Sequence, residues 1–309
     1  MSGDEVGFFG IIMAVLGGAI RVGTPFLFVS LGECLTEKSG RINLGLEGNL
    51  IMGAMSGYAI SYLSGSPWLG VFVAGLTGML LGLIHAVLCQ QQRVNDIAVG
   101  IALMILGTGV AFFLGKPFIQ PQAPRLPAIE FGGWSDSPII RAALEINVLF
   151  ILGILLAPAM AWFFKYARWG LIVRTVGESR DAALAMGINV NRVRLFSTMI
   201  GGFLAGIGGS FLSLYYPGSW NEGLSSGQGL MAVALVIFAR WNPIYCLYAS
   251  LLFGGAAALG PALQSVGVTW GYYLFNAAPY VMTLGIMIAS SSSQRRLPGL
   301  PGKLSNFTK

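Results

Sequence analysis

The side chains with the chemistry to make or break bonds are few. The single histidine is His85, and the three cysteines, Cys34, Cys89 and Cys246, lie in or beside separate apolar runs. That spacing matches neither a disulfide framework nor a zinc site. Ser-His-Asp spacing is absent, as is a G-x-x-x-x-G-K-[ST] phosphate loop. Leu224-Ser225-Ser226-Gly227-Gln228 looks like the signature motif of ATP-binding cassettes, but it sits between apolar segments of a chain with no nucleotide loop. Catalysis by this chain is therefore not expected.

Polar groups concentrate instead at three places. Glu33, Glu37, Lys38, Arg41 and Glu47 crowd the end of the first apolar segment and the start of the second. There, Asn43-Leu44-Gly45-Leu46-Glu47-Gly48-Asn49 runs directly into an apolar helix. Glu47 stands where the helix dipole favours an anion, and Asn43 and Asn49 offer both donors and acceptors. The second place is a loose echo of the first: Asn221, Glu222 and Ser225 also precede an apolar helix. Interrupted helices at matching places in two halves point to a transporter's midplane site. A cytoplasmic loop with a capped helix is the competing reading of Glu47. The third place is the basic stretch 165–194, which carries six cations against Glu178 and Asp181. Its middle reads as a two-turn helix capped by Ser179 and stopped at Gly187. A helix that short is not stable alone in water and needs a partner.

The elements that position these groups are membrane helices. Of 309 residues, 55% are hydrophobic and 10% charged, where soluble domains average about 25% charged. Nine apolar segments recur, at 8–31, 44–63, 68–88, 97–114, 146–164, 195–214, 229–238, 244–259 and 268–288. The expected fold is an all-α integral membrane bundle of about 8–10 segments, some broken or re-entrant. Segment 229–238 reaches only about 15 Å and reads as half a broken helix. The net charge of +6 is spread over loops and is no nucleic-acid signal. Fourteen Lys and Arg fall on the side of 165–194 and three on the other, which makes that side cytoplasmic. The permease domain then spans 1–289, followed by a cytoplasmic tail at 290–309. No basic n-region or cleavage site marks a signal peptide.

Packing and isolated polar residues complete the reading. Ala74, Gly78 and Gly82 form one small-residue row; Gly202 with Gly206 and Ala205 with Gly209 form others, where backbones can touch. Arg21, inside the first segment, costs about 2.5–3.5 kcal/mol if unpaired and calls for an acidic partner or a polar interior. His85 reads as an interhelical hydrogen-bonding residue. Tyr215, Tyr216, Trp220, Tyr272, Tyr273 and Tyr280 read as interfacial belt residues. The five prolines of 115–145 call for an extended or turned outer connection.

Two motifs carry a family resemblance: Glu37-x-x-Gly40-x-x-Asn43-Leu44-Gly45-x-Glu47-Gly48, and Gly177-x-x-x-x-Ala182-Ala183-x-x-x-Gly187-Ile188-Asn189-Val190. With them, residues 8–290 resemble the permease subunits of bacterial ABC importers in the branched-chain amino acid, ribose and nucleoside group. The run Ile237-Phe238-Ala239-Arg240-Trp241-Asn242-Pro243 looks closest to the nucleoside and simple-sugar branch, departing from it at Ala239, where glycine is expected. The resemblance implies a multi-pass protein of the bacterial inner membrane that pairs with a second permease, two ABC ATPase subunits holding ATP and magnesium, and an external binding protein. This chain would hold no cofactor. Gly177, Glu178, Arg180, Asp181, Ala182, Ala183 and Gly187 would form the coupling element gripped by the ATPase. The pathway set would be Asn43, Glu47, Asn49, Asn221, Glu222 and Ser225. A nucleoside is the expected cargo, with a sugar or branched-chain amino acid as alternative. An ion-coupled secondary transporter is the alternative of a different class.

Overall fold

A computed structural model describes residues 8–91, 93–133, 138–265 and 277–291. Its helices follow the apolar segments. Helix α1 spans Phe8–Lys38, α2 Leu46–Ser64, α3 Pro67–Leu88 and α4 Asp96–Gly115. After the outer connection come α5 (Pro138–Ala143) and α6 (Val148–Tyr166), then α7 (Arg168–Glu178) and α8 (Arg180–Ala185). The chain continues through α9 (Val190–Leu214), α10 (Gln228–Phe238), α11 (Pro243–Ser265) and α12 (Ala278–Ser291). Among the described residues, six helices are long and apolar enough to cross a membrane: α1, α3, α4, α6, α9 and α11. The first eight apolar segments each contribute a helix. The ninth lies partly outside the described residues and ends in α12, and the tail beyond residue 291 lies outside them too, as do Tyr272 and Tyr273.

Local chemistry sets the boundaries. Ser66, Asn95, Asn147 and Asn189 cap α3, α4, α6 and α9 by accepting first-turn N–H bonds. Helix α2 stops at Gly65, whose φ of 71° is the left-handed conformation that glycine adopts freely. The outer connection is more ordered than its prolines suggest. Ala128–Glu130 (β1) pairs antiparallel with Glu145–Asn147 (β2), with Ile129 opposite Ile146. Pro138 starts α5, where its fixed φ suits a first helical position.

Helices α1 and α9 form the middle of the bundle, α9 packing on α1, α2 and α3, and α1 also on α10 and α11. The small-residue rows face one another. A Cβ on Gly82 would lie 2.6 Å from the Thr198 carbonyl oxygen, and one on Gly78 2.9 Å from the Gly206 nitrogen, so α3 and α9 touch by backbone. Gly209 approaches α2 instead, where a Cβ would lie 2.7 Å from the Ala54 nitrogen. Without a hydrophobic drive between helices in lipid, this close dispersion contact holds the pair.

The connections sort into two ends. At one, Tyr58 Oη donates to the Pro121 carbonyl (2.8 Å), Ser61 Oγ to Pro124 (2.9 Å), and Trp220 Nε1 to Gly115 (3.0 Å). At the other, Arg41 pairs with Asp96, and Arg194 Nε donates to the Ser39 carbonyl (3.1 Å). Trp220 is 2% exposed and packs inside the bundle, so it is not a belt residue; a carbonyl inside the bundle satisfies its N–H. Tyr216 and Tyr280 are exposed.

Candidate functional site

Two helices begin in the middle of the bundle. Asn49, in the first turn of α2, donates from Nδ2 to the Gly78 carbonyl (3.4 Å). Gly78 is the twelfth of 22 residues in α3, and Gly202, which also faces Asn49, is the thirteenth of 25 in α9. Residues 39–45 therefore carry the chain from the end of the bundle into its centre. Helix α10 begins at the same depth and covers about 16 Å. It runs to the opposite end from α2, where Trp241 Nε1 donates to Glu37. Only α10 is half a span, since α2, at 19 residues, covers about 28 Å, but each has its N-terminus inside protein, where free N–H groups require partners.

Glu47 supplies them. Its Oε1 accepts from Ser225 Oγ (2.5 Å) and from the Gly227 N–H (3.1 Å), and its Oε2 accepts from the Gly229 N–H (2.6 Å). The carboxylate thus sits in the first turn of α2 and across the first turn of α10. Two positive helix ends meet one anion, with no cation among these hydrogen-bond partners. Glycine permits the fit: a Cβ on Gly229 would lie 2.6 Å from Glu47 Cα, and Gly227 has a φ of 83°. Gln228, at the same start, buries an Oε1 with no hydrogen-bond partner among the described residues.

The sequence-selected pathway residues therefore separate. Glu47 and Ser225 meet. Asn43 and Asn49 lie beside them but are buried and spend bonds within the chain: Asn43 Oδ1 accepts from the Gly45 N–H (2.9 Å), and its own N–H donates to Glu33 Oε1 (2.7 Å). Asn221 and Glu222 do not join the cluster. They are exposed in the turn before α10, where Asn221 Oδ1 accepts from the Gly223 N–H. The signature-like Leu224–Gln228 run is the entry to α10 and serves Glu47.

The basic stretch 165–194 holds more helix than its sequence suggests. Its ends belong to α6 and α9, and its centre is two helices, α7 and α8, rather than one. Ser179 Oγ accepts the Ala182 N–H (3.2 Å), Asp181 occupies the first turn of α8, and Gly187 has a φ of 73°. Ala183 is the only buried residue of α8, and it packs with Val176 and Val190. Arg180, Asp181, Ala182, Leu184 and Met186 face outward. Gly177 lies against the carbonyl of Lys38, close enough that a side chain would collide. Arg194, singled out in sequence only as a charge, is 4% exposed and ties α9 to Ser39 and to the Val176 carbonyl (3.4 Å). Trp241, linked to Glu37 and to Cys34 Sγ (3.2 Å to its carbonyl), was likewise hidden by distance along the chain.

Two isolated groups also resolve. Arg21 pairs with Glu145 at 3.5 Å and lies 6.0 Å from the Tyr216 ring centre, so its acidic partner comes from β2. His85 Nε2 lies 3.5 Å from Cys89 Sγ, one turn along the chain.

Comparison with known proteins agrees with this architecture. The chain is 35% identical over 259 residues to a putative glucose ABC transporter permease protein of Haloferax volcanii, covering 82% of this chain and 79% of that one. It is 31% identical over 291 residues to a guanosine ABC transporter permease protein of Bacillus subtilis (89% and 91% covered), and 29% over 293 residues to a nucleoside ABC transporter permease protein of Lactococcus lactis (89% and 92%). In each of these organisms a second permease named for the same cargo matches at 23–24% identity. Residues 16–291 match the family described as branched-chain amino acid transport system / permease component, and this multi-pass membrane protein belongs to it.

Proposed function

We propose that the chain is the translocating subunit of an ATP-driven importer in a cytoplasmic membrane, carrying a nucleoside handed over by an external binding protein. The observation that carries the reading is α8. Leu184 and Met186 stand 51% and 59% exposed on a two-turn helix whose single buried residue anchors it to the bundle. Exposed apolar side chains on a fixed, short helix suit a partner's groove. That partner is an ATPase subunit, which holds ATP and magnesium; the permease itself performs no chemistry. Gly177, Glu178, Arg180, Asp181, Ala182, Ala183 and Gly187 form or support the contact.

The pathway runs beside the mid-bundle junction of α2 and α10, between this chain and a second permease. Glu47 acts there as a positioning residue, and Gln228 is the nearest group with hydrogen-bonding capacity left for cargo. The paired matches in three organisms favour a paralogous partner over a second copy. Glucose is the second reading of the cargo, favoured by the 35% relative. Of the two acids Glu47 and Glu222 that would favour an ion-coupled mechanism, Glu47 spends both oxygens on donors of the α10 entry and Glu222 lies exposed.

The test is uptake into proteoliposomes containing the permease pair, the ATPase and the binding protein. Labelled guanosine should enter only with ATP, regardless of proton or sodium gradients, and unlabelled guanosine should compete better than glucose. Uptake by this chain alone in an ion gradient would refute the importer reading; better competition by glucose would change the cargo.

A further inference from the structure

At the basic end of the bundle, four cations from four parts of the chain surround one open cleft of about 400 Å³. Lys38 ends α1, Lys165 lies in the last turn of α6, Arg174 belongs to α7, and Arg240 occupies the turn between α10 and α11. Among the described residues, no acidic side chain lines the cleft. The ion pairs at Arg21–Glu145 and Arg41–Asp96 lie elsewhere. Like charges that line one cleft repel one another, and an anion between them lowers that cost.

The cleft is also built rather than incidental. Arg240 and Trp241 have φ of 51° and 54°, a conformation that non-glycine residues adopt at a cost. Trp241 is held there by its bond to Glu37 and by Cys34, which fixes Arg240 at the rim. Lys38 Nζ lies 5.2 Å from the Phe164 ring centre, so its charge is held against an apolar wall.

That wall selects the ligand. Phe164, Trp241, Pro243 and Ile244 line the cleft. From it, exposed Tyr245, Tyr248 and Leu252 continue along α11, and Trp162 and Leu155 are exposed on α6. A free phosphate would use the cations and leave this track bare; a lipid uses both. We propose that the cleft binds the phosphate headgroup of an anionic phospholipid, with its acyl chains lying along α6 and α11. The site lies at the membrane boundary of the coupling end, and its occupancy is independent of which solute is transported.

Native mass spectrometry of the purified permease with equal phosphatidylglycerol and phosphatidylcholine tests this. Near an anionic surface each cation contributes about fivefold. Wild type should retain phosphatidylglycerol preferentially. Lys165→Gln, Arg174→Gln and Arg240→Gln together should reduce that preference about 100-fold, whereas Lys165→Arg, Arg174→Lys and Arg240→Lys should keep it. If the neutral triple variant does not fold, Arg240→Gln alone should show the roughly fivefold loss. An unchanged preference in the neutral variants overturns the proposal. Displacement of the lipid by millimolar inorganic phosphate also overturns it and makes this a free-anion site. Loss of ATPase co-purification with lipid preference intact overturns it in favour of a protein partner.

Discussion

At the residue scale, Glu47 shows how a charge is kept inside a membrane bundle without a counter-ion. Three donors from the α10 entry and the dipoles of two helix ends take the place of a cation. Glu47→Ala would strand those donors, each costing about 1–3 kcal/mol when buried unpaired. The melting temperature of the purified permease should fall sharply, and uptake should be lost. Glu47→Gln keeps the shape but turns an amide N–H₂ toward N–H donors, so it should fall between. Gly229→Ala offers a cleaner contrast with Gly109→Ala. The first places a methyl 2.6 Å from Glu47 backbone and must push α10 away, at about 1–3 kcal/mol. The second has nothing within 4 Å and gains about 1 kcal/mol of helix propensity. Their melting temperatures should shift in opposite directions; equal shifts would remove the close approach from the account. Glu47 was legible as an acid at a helix start, because a dipole acts within one turn. Its partnership with Ser225, 178 residues away, was not, because nothing in local spacing encodes a contact made only when the bundle closes.

At the element scale, α8 is a lever whose two faces have separable duties. Ala183 belongs to the bundle; Leu184 and Met186 belong to whatever grips it. Ala183→Asp buries a charge among Val176 and Val190 and should detach α8, lowering both stability and ATPase co-purification. Leu184→Ser with Met186→Ser should lower co-purification and leave the melting temperature unchanged. If that double variant pulls down the ATPase as well as wild type does, α8 is not the contact. Ala182→Arg, on the outer face, and Gly187→Pro, which forbids a φ of 73°, should likewise abolish association while sparing membrane insertion. The cap and stop of α8 could be read directly from Ser179 and Gly187. Helix α7 could not: its exposed Trp169 and Leu171 and its cations alternate over eleven residues, too few to separate an amphipathic helix from a loop. The glycine rows of α3 and α9 were readable for the opposite reason, since only small residues permit backbones to touch and their four-residue spacing repeats.

For the whole molecule, α2 and the half-spanning α10 both start at mid-depth and run to opposite ends, which gives the bundle a plane about which its ends can move differently. Helix α2 is bonded toward the end that carries Pro121 and Pro124, and α10 toward the end that carries Trp241, α7 and α8. Among the described residues, the connections group into the same two sets that alternation of apolar segments assigns, but a bundle without its membrane has no inside or outside. The charge asymmetry supplies the direction, because basic residues are retained on the cytoplasmic side. This chain lends itself to a direct check, since its three cysteines are all buried and should give little background. Glu130→Cys and Leu184→Cys place thiols at opposite ends, both at exposed positions. A membrane-impermeant maleimide added to intact cells should label the first and spare the second, and permeabilisation should expose the second. The reverse pattern would put α8 outside, beyond the reach of any cytoplasmic ATPase, and the coupling role would fail with it.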